Sequence, residues 1–169
     1  DVQQMFRGKN ILPSEGWTDK DGVLLSSTNF NPSTQQLSDS GASNNICSPV
    51  LFLTKGTYCF SMTCNYTDST LALYVSSDNK RSANDIGGTP TVYSVNQTVS
   101  GTTRRYFSFT LQDDSYVIIN VYNDHASLDA YQPQLETGSI PTAYEIGSTE
   151  NKSSVLKQTA DGLQTQVNS

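Results

Sequence analysis

The chain has 169 residues, a formal net charge of -6, and a composition that is 35% hydrophobic but only 15% charged. That length suits one domain with a real core plus a short appendage. The acidic balance excludes a phosphate-backbone partner, which calls for a clustered basic face.

Residues 1–8 read as a linker. From Lys9 to Ile146 the pattern is strand, turn, strand, as expected of a chain rich in Ser, Thr, Asn, Gln and Tyr. The clearest run follows the Lys55-Gly56 turn: Tyr58, Phe60, Met62 and Cys64 alternate with Cys59, Ser61, Thr63 and Asn65, one apolar face against one small and polar face. Next, Leu71, Leu73 and Val75 alternate with Ala72, Tyr74 and Ser76, and later Phe107, Phe109 and Leu111 alternate with Tyr106, Ser108 and Thr110. Residues 116–123 are apolar throughout, as in a central strand. Their inward face is either Val117, Ile119 and Val121 or Tyr116, Ile118 and Tyr122. Turn-forming clusters at residues 76–79 and 85–89 separate the runs. The fold class is therefore all-β, a two-sheet antiparallel β-sandwich with jelly-roll-like character, over residues 9–146.

After Gly147 the pattern changes. Val155, Leu156, Thr159, Leu163 and Val167 recur at three- and four-residue steps, which predicts a short helical connector over residues 147–169. The stripe is thin and Gly162 weakens it, so it is either the start of a coiled coil or a frayed, disordered tail.

Cys47, Cys59 and Cys64 leave an odd thiol under any disulfide scheme. Cys59 and Cys64, five apart, point to opposite faces of one strand. Buried reduced thiols are expected. One histidine, His125, cannot complete a Cys/His zinc pattern, so no metal and no cofactor are expected. The sequons at Asn65, Asn96 and Asn151 carry little weight in a chain this rich in Asn, Ser and Thr. No apolar run reaches membrane-spanning length and nothing at the N-terminus reads as a signal peptide, so neither membrane insertion nor a nucleic-acid partner is expected.

Several segments resemble one family. Lys9-Asn10-Ile11-Leu12 followed by Gly16-Trp17, the apolar run 50–57 entering a Lys-Gly-Thr turn, and the closing residues 133–139 (PQLETGS) and 141–144 (PTAY) are similar to the carbohydrate-binding-module-like β-sandwiches of tail and baseplate adhesion proteins from phages of Gram-positive bacteria. The segment 154–163 is similar to connectors of tail-associated and fibre proteins. The resemblance implies non-catalytic recognition of host cell-wall or capsular saccharide at the virion tail tip. It further implies synthesis in the bacterial cytoplasm, contacts with other tail or baseplate subunits, and a homotrimer formed through the C-terminal segment. The landmark residues themselves are expected to be structural.

Sugar recognition needs flat rings for the CH-rich sugar faces and fixed polar groups for the hydroxyls, and tyrosine supplies both at low entropic cost. Strand alternation predicts a solvent face carrying Tyr74, Tyr106, Tyr122, Asn120, Thr63, Asn65 and Ser108. Tyr66, Arg81 and Tyr93, with Asp68, Asp78, Asp124 and His125, are loop candidates at its rim. The plain alternative is that these are cross-strand partners and solvated loop residues. The basic pairs Lys80-Arg81 and Arg104-Arg105 are either solvated strand ends or contacts to an anionic sugar or phosphate. Trp17 is expected in the framework, and Asp19-Lys20-Asp21-Gly22 as a surface turn, because the remaining ligands of a calcium loop are missing.

An enzyme is not expected. The chain has no G-x-S-x-G, no H-E-x-x-H and no phosphate loop. Carboxylate pairs such as Asp113-Asp114 or Asp124 with Asp129 read as solvated loop acids. The rival to a binder is a structural spacer or trimerisation module of a tail fibre that binds no glycan.

Overall fold

The computed structural model describes residues 2–4, 6–39, 45–64, 70–122, 128–152, 154–159 and 162–167, and side chains only between residues 6 and 152. The strands in chain order are β1 (Val2–Gln4), β2 (Phe30–Asn31), β3 (Gln36–Asp39), β4 (Ile46–Cys47), β5 (Leu51–Leu53), β6 (Gly56–Cys64), β7 (Thr70–Ser76), β8 (Thr91–Ser94), β9 (Gln97–Thr98), β10 (Arg104–Leu111), β11 (Ser115–Tyr122), β12 (Leu128–Thr137), β13 (Ser154–Thr159) and β14 (Gly162–Val167). One helical turn, α1 (Ala83–Ile86), follows β7 and is capped by the Ser82 side chain accepting from the Asp85 N–H.

A six-stranded sheet runs β2-β3-β12-β6-β10-β9, and a second sheet runs β4-β11-β7-β8 with β5 also paired to β11. The chain passes from one sheet to the other at most connections, and β3 ends beside β12 across the chain's length. That interleaving is the path of a jelly roll, whose long-range pairings close a sandwich. The fold class expected from the sequence is the one observed.

The alternation explains the core. Tyr58, Phe60, Met62 and Cys64 from β6 and Phe107, Phe109 and Leu111 from β10 meet Leu71 and Leu73 from β7 between the sheets. Val117, Ile119 and Val121 complete the layer, which settles the register of β11 and turns Tyr116, Ile118, Asn120 and Tyr122 outward. Each fully buried aliphatic or aromatic side chain contributes roughly 1.5–3 kcal/mol of transfer free energy. Val75, expected inward with Leu71 and Leu73, is 42% exposed. It lies beyond the end of the β7–β8 pairing, which stops at Leu73, so its side chain overhangs the core.

Two asparagines tie the ends of the sandwich. The buried Asn10 side chain donates to the carbonyls of Pro133 (3.1 Å) and Glu145 (2.9 Å) and accepts from the N–H groups of Leu12 (3.1 Å) and Leu135 (3.0 Å). Asn151 accepts from the Arg7 N–H and donates to the carbonyls of Arg7 and Asn10. Between them Gly147 passes so close to Leu12 that an added Cβ would lie 1.6 Å from its carbonyl oxygen, leaving room for no other residue.

Both ends of the chain differ from the sequence expectation. Residues 154–159 and 162–167 form an antiparallel hairpin, not a helix, and β1 within the expected linker pairs with β13. The physical reason is visible in the residues. Val155, Thr159, Thr165 and Val167 are β-branched and lose side-chain freedom in a helix. The hairpin register sets Gly162 opposite Thr159, where a helix-weakening residue costs nothing. The β1 edge supplies backbone partners from residues far away in sequence.

Candidate functional site

The residues expected to share one solvent face separate onto two opposite faces. Tyr74, Asn120 and Tyr122 lie on the outer side of the β4-β11-β7-β8 sheet. Thr63 and Tyr106 lie on the outer side of the six-stranded sheet. Tyr74 is not solvent-facing: it is buried with Cys47, Ala72, Ala83 and Ile118, where α1 and the loop before β2 cover the sheet. The Lys20 ammonium sits 5.9 Å from its ring centre. Asn120 is likewise buried, donating to Asn45 Oδ1 at 2.9 Å, and Tyr122 packs half-buried on the same cluster.

Tyr93 points inward, its ring stacked on Phe107 at 4.7 Å. Arg81 is solvent-exposed and reaches Asp85 at 3.8 Å. Asp78 stays in an exposed turn closed by the Ser76 hydroxyl. Asn65, Tyr66, Asp68, Asp124 and His125 lie outside the described residues.

Trp17 is framework, as expected: it is 2% exposed, stacks on Phe30 at 4.8 Å and donates Nε1–H to Pro13 O at 2.8 Å. The Asp19 carboxylate accepts from the N–H groups of Asp21 and Val23, closing its own turn. Asp114 accepts from the Lys55 N–H and Asp129 from Gln36. Cys47, Cys59 and Cys64 are buried, and burial pushes the Cys47 and Cys59 thiols up to about 12.

The outer face of the six-stranded sheet has a different character. Across it, Thr63 on β6 lies between Arg104 on β10 and Tyr131 on β12, while Tyr106 pairs with Ser61 on one side and Gln97 on the other. A segment after β12 folds back over this face and is held by two buried side chains of β12. Gln134 donates to Glu136 (2.7 Å) and to Thr142 O (3.2 Å) and accepts from the Glu145 N–H (2.9 Å). Glu136 accepts from the Thr142 N–H and hydroxyl. The strap thus docks through hydrogen bonds to a buried carboxylate, the strong kind.

Between the strap, the turn before β10 and the sheet lies a cavity of about 360 Å³, lined by Thr63, Val99, Thr102, Arg104, Pro141 and Tyr144 among others. Its lining mixes apolar surface with hydroxyls. The Arg104 guanidinium lies over the Tyr144 ring, 5.3 Å from its centre. Burial pulls that guanidinium down to about 10, with Tyr144 and then Glu136 acting against the shift. Burial likewise raises the Tyr144 phenol, and Arg104 opposes it. Arg104 Nε and the Tyr144 hydroxyl oxygen are both buried without a protein partner. Such groups cost about 1–3 kcal/mol each when nothing satisfies them.

A larger recess of about 820 Å³ lies beside Phe6, Lys9, Thr54 and Glu136. Its charged groups are already engaged: Lys9 Nζ donates to Ala143 O, and Glu136 holds the strap. The smaller cavity is therefore the candidate site. Arg104, Tyr131 and Tyr144 were not among the residues the alternation singled out as binding. Arg104 read as half of a basic pair and Tyr144 as a landmark, and only the fold-back brings Tyr144 to the sheet.

No protein-family model matches the chain, and no curated protein is similar to it.

Proposed function

We propose that the chain is a non-catalytic module that binds a host cell-surface saccharide on the outer face of its six-stranded sheet, as part of a phage tail adhesion device. The observation that supports the reading best is the cavity under the strap. It joins an aromatic ring, a guanidinium and the hydroxyls of Thr63 and Thr102 in about 360 Å³, within the roughly 300–1,000 Å³ of small-ligand sites. A sugar ring asks for that combination: apolar surface for its CH faces and fixed polar atoms for its hydroxyls. Tyr106, half-buried, and Tyr131, 37% exposed, extend the same face beyond the cavity. Single-site affinity is expected to be weak, and display in several copies supplies avidity without new contacts.

The test is binding of the fluorescently tagged chain to intact Gram-positive cells and to their purified wall polysaccharides. Strain-selective labelling that free polysaccharide competes away, and that Tyr144→Ala removes, supports the reading. Absence of labelling by an artificially trimerised form as well replaces it with the structural-spacer reading.

A further inference from the structure

β10 opens with two arginines whose side chains alternate across the sheet. Arg105 spends its Nε on the carbonyl of Cys64 at 3.0 Å. Arg104 reaches Ser61 O at 3.3 Å, Ser61 Oγ at 3.1 Å and Thr63 Oγ1 at 3.4 Å. Two of these contacts lie beyond the usual N–H···O range of about 2.7–3.2 Å and the third falls within it. A guanidinium has five N–H donors, and three bonds to neutral acceptors leave Arg104 well short of satisfied.

Among the described residues no carboxylate forms an ion pair with Arg104. Glu136 acts on its charge, but the Glu136 oxygens already accept from Gln134 Nε2, the Thr142 N–H and the Thr142 hydroxyl. Arg104 is therefore a largely desolvated cation lining a cavity without a counter-charge in contact. A charge in that position is strongly unfavourable unless something compensates it. The second orphan at the same site, the Tyr144 hydroxyl, is also a donor. Both unpaired groups ask for an acceptor.

We infer that the ligand of this cavity is a saccharide carrying an acidic group, a carboxylate or a phosphate, seated against Arg104 and the Tyr144 hydroxyl. The inference rests on the saccharide-binding reading and narrows it: the neutral part of the sugar lies on the apolar lining, and the anion supplies the acceptors that the guanidinium and phenol lack. The chain's net charge of -6 opposes long-range attraction of such a ligand. The selectivity must then come from contact geometry at Arg104, not from steering, and should persist at physiological salt, where exposed charges are screened beyond about 8 Å.

The experiment modifies the ligand, so that folding of the protein is not in question. Binding of the unaltered full chain is measured to a purified Gram-positive wall polysaccharide in three forms: native, carboxyl-reduced, and treated with hydrofluoric acid to remove phosphodiesters. One of the two treatments is expected to weaken binding roughly 10- to 100-fold, the range of a charge-assisted hydrogen-bonded contact, and which one identifies the acidic group. Arg104→Gln should weaken binding to the native polymer by a similar factor and change binding to the neutralised polymer little, while Arg104→Lys recovers part of the loss. Equal binding to all three forms overturns the acidic-group inference and leaves the saccharide reading standing. Binding to none, across polysaccharides from several strains, overturns both.

Discussion

Replacing Asn10 with alanine tests the account of how the sandwich is closed. The Asn10 side chain, 1% exposed, satisfies two carbonyls and one N–H group at 2.9–3.1 Å on segments more than 120 residues apart in sequence, together with the local Leu12 N–H. Alanine removes all four partners at once. At about 1–3 kcal/mol for each buried group left unsatisfied, and with a water able to re-enter a polar site and recover part of it, the net loss is about 3–5 kcal/mol. That is a large part of a total stability of roughly 5–15 kcal/mol, and corresponds to a fall in Tm of roughly 6–20 °C for a chain this long. Urea denaturation followed by circular dichroism measures it, and the slope of the transition should stay constant because the same surface is exposed. Asn10→Asp should do no better, since it keeps the acceptor but faces the Pro133 and Glu145 carbonyls with an oxygen in place of a donor. A loss below about 1 kcal/mol for the alanine variant would refute the idea that this residue clamps the first and last parts of the fold.

Tyr74→Ala empties a site under α1 and should cost about 3–5 kcal/mol, whereas Tyr106→Ala on the half-buried outer face should leave the melting temperature nearly unchanged while weakening saccharide binding. Thermal melts and cell binding on the two variants separate them, and the reverse pattern would exchange the roles of the two sheets. The Cys47 and Cys59 thiols have pKa values raised to about 12 from 9.0, so the folded state keeps protons that the unfolded state gives up. Their contribution is complete below pH 9 and is lost as pH rises from 9 towards 12. Stability measured across that window should therefore fall, and a thiol reagent at pH 8 should react only after unfolding. Trp17, buried against Phe30, should fluoresce at short wavelength and should not respond to bound saccharide; a ligand-dependent shift would move the site to its side of the sandwich.

The sandwich was legible because its inward faces are written in period two. Phe107, Phe109 and Leu111 fall on one side of a strand whatever it pairs with, and so do Tyr58, Phe60 and Met62. Such patterns name a buried face without naming the neighbour. Where burial comes from both sides the pattern loses its information, and β11 is the instance: Ile118 under α1 and Ile119 between the sheets are equally apolar and equally buried. The C-terminal hairpin was misread for a related reason. Val155, Leu156, Leu163 and Val167 satisfy a helical spacing, but β1 lies about 150 residues away in sequence and offers an edge that no local period announces.

The site was less legible than the fold, and Tyr74 and Tyr144 show why. Tyr74 alternates with Leu71 and Leu73 as a solvent-facing residue should, yet a single helical turn, residues 83–86, covers it. Tyr144 stands in an irregular stretch with no period, yet Gln134 and Glu136 draw the strap carrying it back across β12 and set its ring beside Arg104. Alternation decides which side of a sheet a residue occupies, but not whether that side meets water. Coverage is a tertiary property, set here by hydrogen bonds to one buried carboxylate and one buried amide. On the six-stranded face those same bonds set the Tyr144 ring beside Arg104, whose guanidinium has no carboxylate ion-pair partner among the described residues, so the residues that build the strap also build the site proposed for an acidic ligand.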